Sequence, residues 1–207
     1  MNEESIYGGQ RENLEAVKQQ VLEQLAVHNR AEKEKSGHSI YEHILARVKA
    51  EDSAREKCRR KGLAETPRSV LLDIHDAIGI RVVCRFIDDV FKNVEYIRNT
   101  PGFTVVEEKD YIRNAKPNGY RSYHMILLVT APFEDIRGEN PGQFYVEIQL
   151  RTLAMDSWAS LEHELKYKKS IQNQEIITAE LKRCADELNS CDLSMQTIRQ
   201  LIRSAEE

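Results

Sequence analysis

The stretch GIRVVCRFI at residues 79–87 is the segment from which the fold can be predicted. β-Branched and apolar residues fill it and Gly79 bounds it, a pattern typical of a buried β-strand. Three more runs of similar character follow along the chain: FTVVEE at 103–108, SYHMILLVTA at 122–131 and QFYVEIQLR at 143–151. The last two are predicted to form a hairpin through the loop around Arg137–Pro141. The middle of the chain is therefore predicted to be mostly β.

Helices are predicted on the N-terminal side of these strands. Residues 10–35 have apolar residues at helical spacing, namely Leu14, Val17, Val21 and Leu25. Gly37 is expected to end this helix, and Ser39 is expected to cap a second helix that continues through a basic stretch to Gly62. The apolar positions of this second helix would be Tyr41, Ile44, Leu45 and Val48. A short third helix is expected between Pro67 and Asp76.

Further helices are predicted at residues 89–98 and from Thr152 to the C-terminus. The order of helices, then strands, then helices predicts an α+β fold. Its centre is expected to be a mixed β-sheet of about five strands, flanked by helices and extended by helices at both ends.

Size and composition fit one catalytic domain with peripheral helices. The chain has 207 residues, of which 41% are hydrophobic and 31% charged. No run of about 18 apolar residues occurs, so no membrane span is predicted. The first residues lack the basic and apolar regions of a signal peptide, so we expect a cytoplasmic protein. The four cysteines form no CxxC pair, which makes a zinc site unexpected and favours free thiols in a reducing compartment.

Basic residues are concentrated in two blocks although the formal net charge is −4. Residues 47–61 hold seven Lys/Arg against three acids, and residues 109–121 hold four against one. The acidic balance argues against a nucleic-acid substrate, because nucleic-acid affinity depends on phosphate neutralisation. Cationic patches on an acidic protein indicate a compact polyanion such as a nucleoside triphosphate, although a solvated helix face gives such a block too.

No phosphate-binding loop of the form GxxxxGK[ST], no GxGxxG and no HExxH occurs, so side chains would have to bind phosphate. The stretch VEIQLRT at 146–152 alternates strictly, which places Glu147, Gln149 and Arg151 on one face of a strand. An ordinary half-exposed strand alternates in the same way. A second carboxylate, Asp76, precedes the strand that carries Arg81, and two carboxylates suffice to hold Mg²⁺ with water and phosphate oxygens.

Cationic and aromatic side chains complete the candidate site. Five cations could neutralise phosphate charge: Lys49, Lys57, Arg60, Lys61 and Lys116. Arg47 and Arg81 have planar groups that can stack on a purine. Tyr120 could stack on a second base, or could be a turn residue packed on the edge of the sheet. His124 is predicted to contact phosphate, and so, more weakly, is His163.

Five blocks, in this order, resemble the synthetase domain of the RelA/SpoT family, especially its short RelQ-like members. They are RVKAEDSAREKCRRKG (47–62), DAIGIRVVCRFIDD (76–89), EKDYIRNAKPNGYRSYH (108–124), VEIQLRT (146–152) and AMDSWASLEHELKYK (154–168). The resemblance runs from about Ser39 to Lys168. It implies a synthetase domain with a nucleotidyltransferase-like sheet at 39–169. An N-terminal helix at 1–38 and a C-terminal amphipathic helix at 170–207, expected to serve oligomerisation, would flank this domain.

The resemblance also implies the reaction and its residues. The substrates would be ATP and GDP or GTP, the products AMP and ppGpp or pppGpp, and the cofactor Mg²⁺. Asp76 and Glu147 would be the catalytic residues and metal ligands, with Glu147 accepting the proton of the 3′-hydroxyl. ATP would be bound by Arg47, Lys49, Ser53, Lys57, Arg60, Lys61 and Arg81. The guanine nucleotide would be bound by Lys109, Lys116, Tyr120, His124, Gln149, Arg151 and His163, with Tyr120 stacked on guanine.

Two alternatives remain at this point: a pyrophosphokinase of the same fold that acts on the 3′ end of tRNA, and a non-catalytic nucleotide-sensing module. No hydrolase domain precedes the matched blocks, so synthesis without degradation is expected. The N-terminal helix is poorer in lysine before His38 than in RelQ-like relatives. Allosteric activation by the product is therefore not expected.

The C-terminal helix has a heptad pattern of apolar residues, typical of a helix that packs on a partner helix. The seam consists of Ile177, Leu181, Cys184, Leu188, Cys191, Met195, Ile198 and Ile202. Its partner would be either the N-terminal helix of the same chain or a second subunit, and the second is favoured. The family resemblance implies a homotetramer.

Overall fold

The protein is described by a computed structural model that covers residues 5–167 and 173–206. Five helices and five strands occur in these ranges. In chain order they are α1 (Arg11–Ser36), β1 (His43–Val48), α2 (Glu51–Lys61), β2 (Ile78–Cys84), α3 (Ile87–Asn99), β3 (Phe103–Asp110), β4 (Tyr123–Ala131), β5 (Gly142–Thr152), α4 (Leu153–Tyr167) and α5 (Gln174–Glu206). A π-helical turn, Ser69–Asp73, stands where the short third helix was predicted. The predicted domain boundary at 169/170 lies outside the described residues.

The five strands form one mixed sheet in the order β1-β2-β5-β4-β3. The central pair, β2 and β5, is parallel, and the three other pairs are antiparallel. The predicted hairpin is β4–β5, which closes at the pair Ala131↔Gly142. The predicted α+β fold with a mixed sheet of about five strands is confirmed.

The predicted second helix after Ser39 is wrong over its first half. Residues His43–Val48 form the edge strand β1, which pairs antiparallel with β2 from His43↔Val83 to Val48↔Ile78. The apolar spacing of this segment fits a helix, but Ile44 and Val48 are also spaced for one face of a strand. Pairing with β2 satisfies the backbone of β1, and the helix starts only at Glu51.

One face of the sheet carries the core. The alternation predicted for β5 is confirmed, because Val146, Ile148 and Leu150 are fully buried. They join buried residues of β2 and β4, namely Ile78, Ile80, Val82, Met125, Leu127 and Val129. The helices α1 and α3 cover this face, and the predicted apolar stripe of α1 is completely buried in the same cluster. The apolar stripe of α1 therefore packs on the sheet and is not available to a partner helix.

The C-terminal helix α5 packs on α4 and α3, and polar residues take part in both contacts. Thr152 Oγ1 donates a 2.5 Å hydrogen bond to Asp192 Oδ2, and Arg199 Nη1 lies 2.7 Å from Asp89 Oδ2. Ala185, Asp192 and Gln196 are its buried residues. The C-terminal part of the predicted seam faces outward instead: Met195, Ile198 and Ile202 are 51%, 49% and 56% exposed. Among the described residues, no helix is long and apolar enough to cross a membrane.

Candidate active site

The face of the sheet opposite the core is open and forms a cleft of about 460 Å³ over β1, β2 and β5. The side chains that give it its chemistry are Arg47, Lys49, Asp76, Arg81, Glu147 and Gln149. Strand pairing places them side by side, because Arg47 is opposite Gly79, Gly79 opposite Glu147 and Arg81 opposite Gln149. A Cβ at Gly79 would have nothing within 4 Å. The missing side chain therefore leaves open space between Arg47 and Glu147.

Asp76 is held by two lysines just before β2. Lys49 Nζ and Lys57 Nζ both donate to its Oδ2, while its Oδ1 is buried with no hydrogen-bond partner among the described residues. Burial alone would raise the pKa of Asp76, but the hydrogen bonds and charges of Lys49 and Lys57 outweigh it and lower that pKa. Asp76 is therefore ionised at neutral pH.

Glu147 is the second carboxylate of the cleft. Its Oε1 lies 3.6 Å from His124 Nδ1 on β4. Burial would raise the pKa of Glu147, but the close contact with His124 and the charge of that residue outweigh burial, and the pKa is lowered. Tyr120 hydroxyl lies 2.8 Å from the other ring nitrogen, Nε2.

These carboxylates fit a magnesium ion. Mg²⁺ is bound in proteins by one or two carboxylates together with water and phosphate oxygens. Asp76 and Glu147 supply hard oxygen donors, and Asp76 Oδ1 is a buried acceptor without a partner in the described chain. No group of three or more His, Cys, Asp or Glu side chains within the described ranges could form a metal cage. The donor set thus suits an ion that arrives with its phosphate ligand.

The predicted ATP-binding residues fall into two sets. Arg47, Lys49, Lys57 and Arg81 are brought together at or beside the cleft. Ser53, Arg60 and Lys61 lie exposed on α2 and do not line it. Ser53, Lys57 and Lys61 follow at four-residue spacing, which places them on one side of the helix. This side extends the positive charge outward from Asp76.

Tyr120 lies at the other end of the site, half-buried, in the turn before β4. Its hydroxyl bridges His124 Nε2 and Arg151 Nη2, both at 2.8 Å. Lys116 Nζ lies 4.8 Å from the centre of its ring. The ring therefore already has a cationic neighbour, and the tyrosine is held by the site rather than pointing into solvent.

Arg151 was predicted to face the guanine nucleotide, but it is 4% exposed and bonded within the protein. Besides Tyr120 it donates to Gln149 Oε1 at 2.9 Å, Ser122 Oγ at 3.3 Å and Asp156 Oδ1 at 3.0 Å. A guanidinium has five N–H donors in a rigid fork, so these bonds fix it in place. Arg151 organises the residues around it.

Two more predicted acceptor residues lie further out. Lys109 is opposite His124 in the β3–β4 pairing and bonds Glu107 Oε1 at 2.7 Å. It extends the row of side chains that crosses the sheet through Gln149 and Arg81. His163 is exposed on α4 and does not line the cleft.

Sequence reasoning missed three residues of the site. Asp156 binds both Arg151 and Arg81, and the rings of Tyr111 and Trp158 lie 6.1 Å and 6.4 Å from that of Tyr120. An acid in the first turn of the helix that follows a strand with arginine as its penultimate residue was the available signal for Asp156. Trp158 carried no such signal, because its spacing from Met155 is also that of core positions in a helix, and Tyr111 carried none in the turn after β3.

The turn that carries Tyr120 is packed against α5. Gly119 has a φ of +90°, and a Cβ there would lie 2.5 Å from the Cβ of Ala185. Glycine is needed both for this backbone conformation and for the close approach. Arg121 Nη1 adds an ion pair with Asp186 at 3.5 Å. The position of Tyr120 therefore depends on the C-terminal helix.

A mixed sheet whose open face carries two carboxylates among lysines and arginines is suited to phosphate-bearing ligands bound through side chains. The chain belongs to the RelA/SpoT family: the family model described as "Region found in RelA / SpoT proteins" matches residues 46–172.

Named relatives agree with the family assignment. The chain is 39% identical to GTP pyrophosphokinase YwaC of Bacillus subtilis over 165 residues, which is 79% of this chain and 76% of that protein. It is 38% identical to GTP pyrophosphokinase YjbM of the same organism over 169 residues, covering 82% and 77%. The crystal structure of small alarmone synthetase 1 from Bacillus subtilis bound to its product pppGpp superposes with a TM-score of 0.74 at 34% identity. That match covers 96% of this chain and 95% of the other.

Proposed function

We propose that this chain is a GTP pyrophosphokinase, which transfers the β,γ-pyrophosphoryl group of ATP to the 3′-hydroxyl of GDP or GTP. The products are AMP and ppGpp or pppGpp. The observation that carries the proposal is the placement of Asp76 and Glu147 in one cleft with Lys49, Arg47 and Arg81. Relatives named GTP pyrophosphokinase and the related structure with bound pppGpp support the same reaction.

ATP occupies the β1–β2 side of the cleft in this proposal. Arg47 and Arg81 offer planar cations to the adenine, and Lys49 and Lys57 offer charge to the phosphates. Phosphoryl-type transfer depends mostly on positioning and charge neutralisation. The two lysines that now hold Asp76 lie where the triphosphate needs positive charge.

The acceptor nucleotide occupies the β4 side, near Tyr120 and His124. Glu147 accepts the proton of the 3′-hydroxyl as the 3′-oxygen attacks the β-phosphorus of ATP. The bond from that phosphorus to the oxygen bridging to the α-phosphorus breaks, and AMP leaves. The lowered pKa of Glu147 keeps it in the ionised form that a base requires.

Mg²⁺ is the proposed cofactor, held by Asp76 and Glu147. When bound, it neutralises phosphate charge and orients the phosphate oxygens. The unpartnered Asp76 Oδ1 supports this assignment. Without the ion, Lys49 and Lys57 are the groups that balance the charge of Asp76.

Product analysis tests the proposed reaction. The purified protein is incubated with ATP and Mg²⁺ together with GMP, GDP, GTP or tRNA, and the nucleotides are resolved by ion-exchange chromatography. ppGpp or pppGpp with equimolar AMP is expected, and omission of Mg²⁺ should abolish both. Pyrophosphorylated tRNA without ppGpp or pppGpp would instead indicate the same-fold tRNA pyrophosphokinase. Tight nucleotide binding without any product would indicate a sensing module.

We further propose that the protein forms a homo-oligomer, with a tetramer favoured. The apolar stripe of α1 is buried against the sheet, and Met195, Ile198 and Ile202 of α5 are about half exposed. An apolar stripe of this kind is typical of an interface. A second copy of α5 is the proposed partner.

The cytoplasm is the proposed compartment. Cys58, Cys84, Cys184 and Cys191 are all free thiols, and cysteines remain reduced there. ATP and guanine nucleotides are also supplied in that compartment.

A further inference from the structure

Asp156, in the first turn of α4, lies between two arginines that serve opposite sides of the site. Its Oδ1 is 3.0 Å from Arg151 Nη1 and 3.2 Å from Arg81 Nη1. One carboxylate oxygen is therefore shared by two cations. The Asp156 side chain is 15% exposed, which shields these contacts from solvent.

The Arg81 branch leads to the ATP side. Arg81 lines the cleft beside Arg47, and its side chain is 34% exposed. Burial and the nearby charge of Arg151 both lower the pKa of Arg81, which means that the two arginines repel each other. Its Nε is buried without a partner in the described chain. Asp156 is the counter-charge that offsets the repulsion.

The Arg151 branch leads to the acceptor side. Arg151 Nη2 bonds the hydroxyl of Tyr120, which bonds His124, which in turn faces Glu147. Each contact in this chain is direct. A shift of Arg151 therefore changes the position of the proposed guanine-stacking ring and of the group beside the base.

We propose that Asp156 is a positioning residue that couples the two nucleotide sites, so that binding of ATP strengthens binding of the guanine nucleotide and the reverse. The inference rests on the proposed function, which places ATP at Arg81 and the acceptor at Tyr120. When adenine stacks on Arg81, the contact of Arg81 with the Asp156 carboxylate weakens. Asp156 then bonds Arg151 more strongly. Arg151 then holds Tyr120 and His124 more firmly than it does without ATP. Because coupling between two binding equilibria is reciprocal, either nucleotide acts on the other by the same factor.

Calorimetric titration of GDP in the presence and absence of the ATP analogue AMPCPP, with Mg²⁺ throughout, measures this coupling. The wild-type protein is expected to bind GDP about fivefold or more tightly when AMPCPP is present. Asp156→Asn removes the charge that two arginines share. It should bring the coupling ratio, which is the GDP affinity with AMPCPP divided by that without, close to one. Asp156→Glu keeps the charge and should retain part of the effect.

Asp89→Asn is the matched control, since Asp89 also pairs with one arginine, Arg199 at 2.7 Å, but lies on α3 away from the cleft. It should leave the coupling ratio at the wild-type value even if it lowers the melting temperature. A wild-type ratio near one would overturn the inference without any variant. So would an Asp156→Asn protein that folds and keeps the full ratio. An enzyme that makes ppGpp without coupling would contradict this inference alone, whereas absence of ppGpp would contradict the proposed function.

Discussion

His124 on β4 and Glu147 on β5 are diagonal neighbours on the open face of the sheet, with Nδ1 and Oε1 3.6 Å apart. The pairing register fixes this relationship, because His124 is opposite Gln149 and Ile126 is opposite Glu147. Diagonal neighbours on one sheet face lie within reach of long side chains. The histidine thus opposes the rise that burial would otherwise give the pKa of Glu147.

Glu147→Gln is expected to abolish transfer while the protein stays folded. The change removes both the proposed base and a proposed metal ligand, and a general base alone contributes about 10²–10⁴-fold in rate. Turnover is measured with saturating ATP and GDP, and folding by circular dichroism. Glu107→Gln is the control, because Glu107 lies on the same sheet face but bonds Lys109. Retention of more than about a tenth of wild-type turnover would refute the role of Glu147.

His124→Ala is expected to move the acidic limb of the pH–rate profile to higher pH. Burial raises the pKa of Glu147 and His124 lowers it, so burial acts unopposed once the histidine is gone. Glu147 would then be protonated at a higher pH than in the wild type, and activity would be lost earlier on acidification. The measurement is kcat/KM between pH 5 and pH 9. An unshifted limb would mean that another group limits activity in acid.

Tyr120→Ala should raise the KM for the guanine nucleotide and leave the KM for ATP nearly unchanged. Loss of base–aromatic stacking costs about 1–3 kcal/mol, which corresponds to roughly tenfold or more in affinity. Tyr120→Phe keeps the ring and loses only the hydroxyl contacts to His124 and Arg151. Its effect on the acceptor KM should be smaller. Equal damage to ATP use would indicate a purely structural tyrosine.

Arg47→Ala should raise the KM for ATP more than that for GDP, because Arg47 lies on the edge strand beside the proposed adenine site. Arg47→Lys should rescue poorly, since lysine lacks the planar group that stacks on a purine. Arg85→Lys is the control: Arg85 bonds Glu42 outside the cleft. Full rescue by lysine would show that charge alone matters at position 47.

Ile198→Asp should lower the mass measured by light scattering at micromolar concentration. Ile198 is 49% exposed on the predicted seam, so a charge there opposes burial against a second subunit. Leu188 is a poorer test site, because it is half-buried where α5 packs on α4. Leu193→Asp is the control, since Leu193 is 53% exposed but lies off the seam. A wild-type monomer would disprove the assembly.

The sequence alone determined the elements whose pattern has one meaning. The alternation in 146–152 could only be a strand with its apolar residues inward. Once the strand was recognised, Glu147 and Gln149 had to share a face. The two carboxylates and most of the cations near them were therefore predictable.

Only the tertiary structure decided the rest. Residues 43–48 fit a helix and a strand, and pairing with β2, about 35 residues away along the chain, selected the strand. The same pairing places Arg47 in the cleft, whereas the sequence had predicted it on a helix. Asp156 carries no periodic signal, and its role arises because β2 and β5 bring Arg81 and Arg151 to one side. Local spacing encodes which face a residue takes, whereas contacts between distant segments depend on how the whole chain packs.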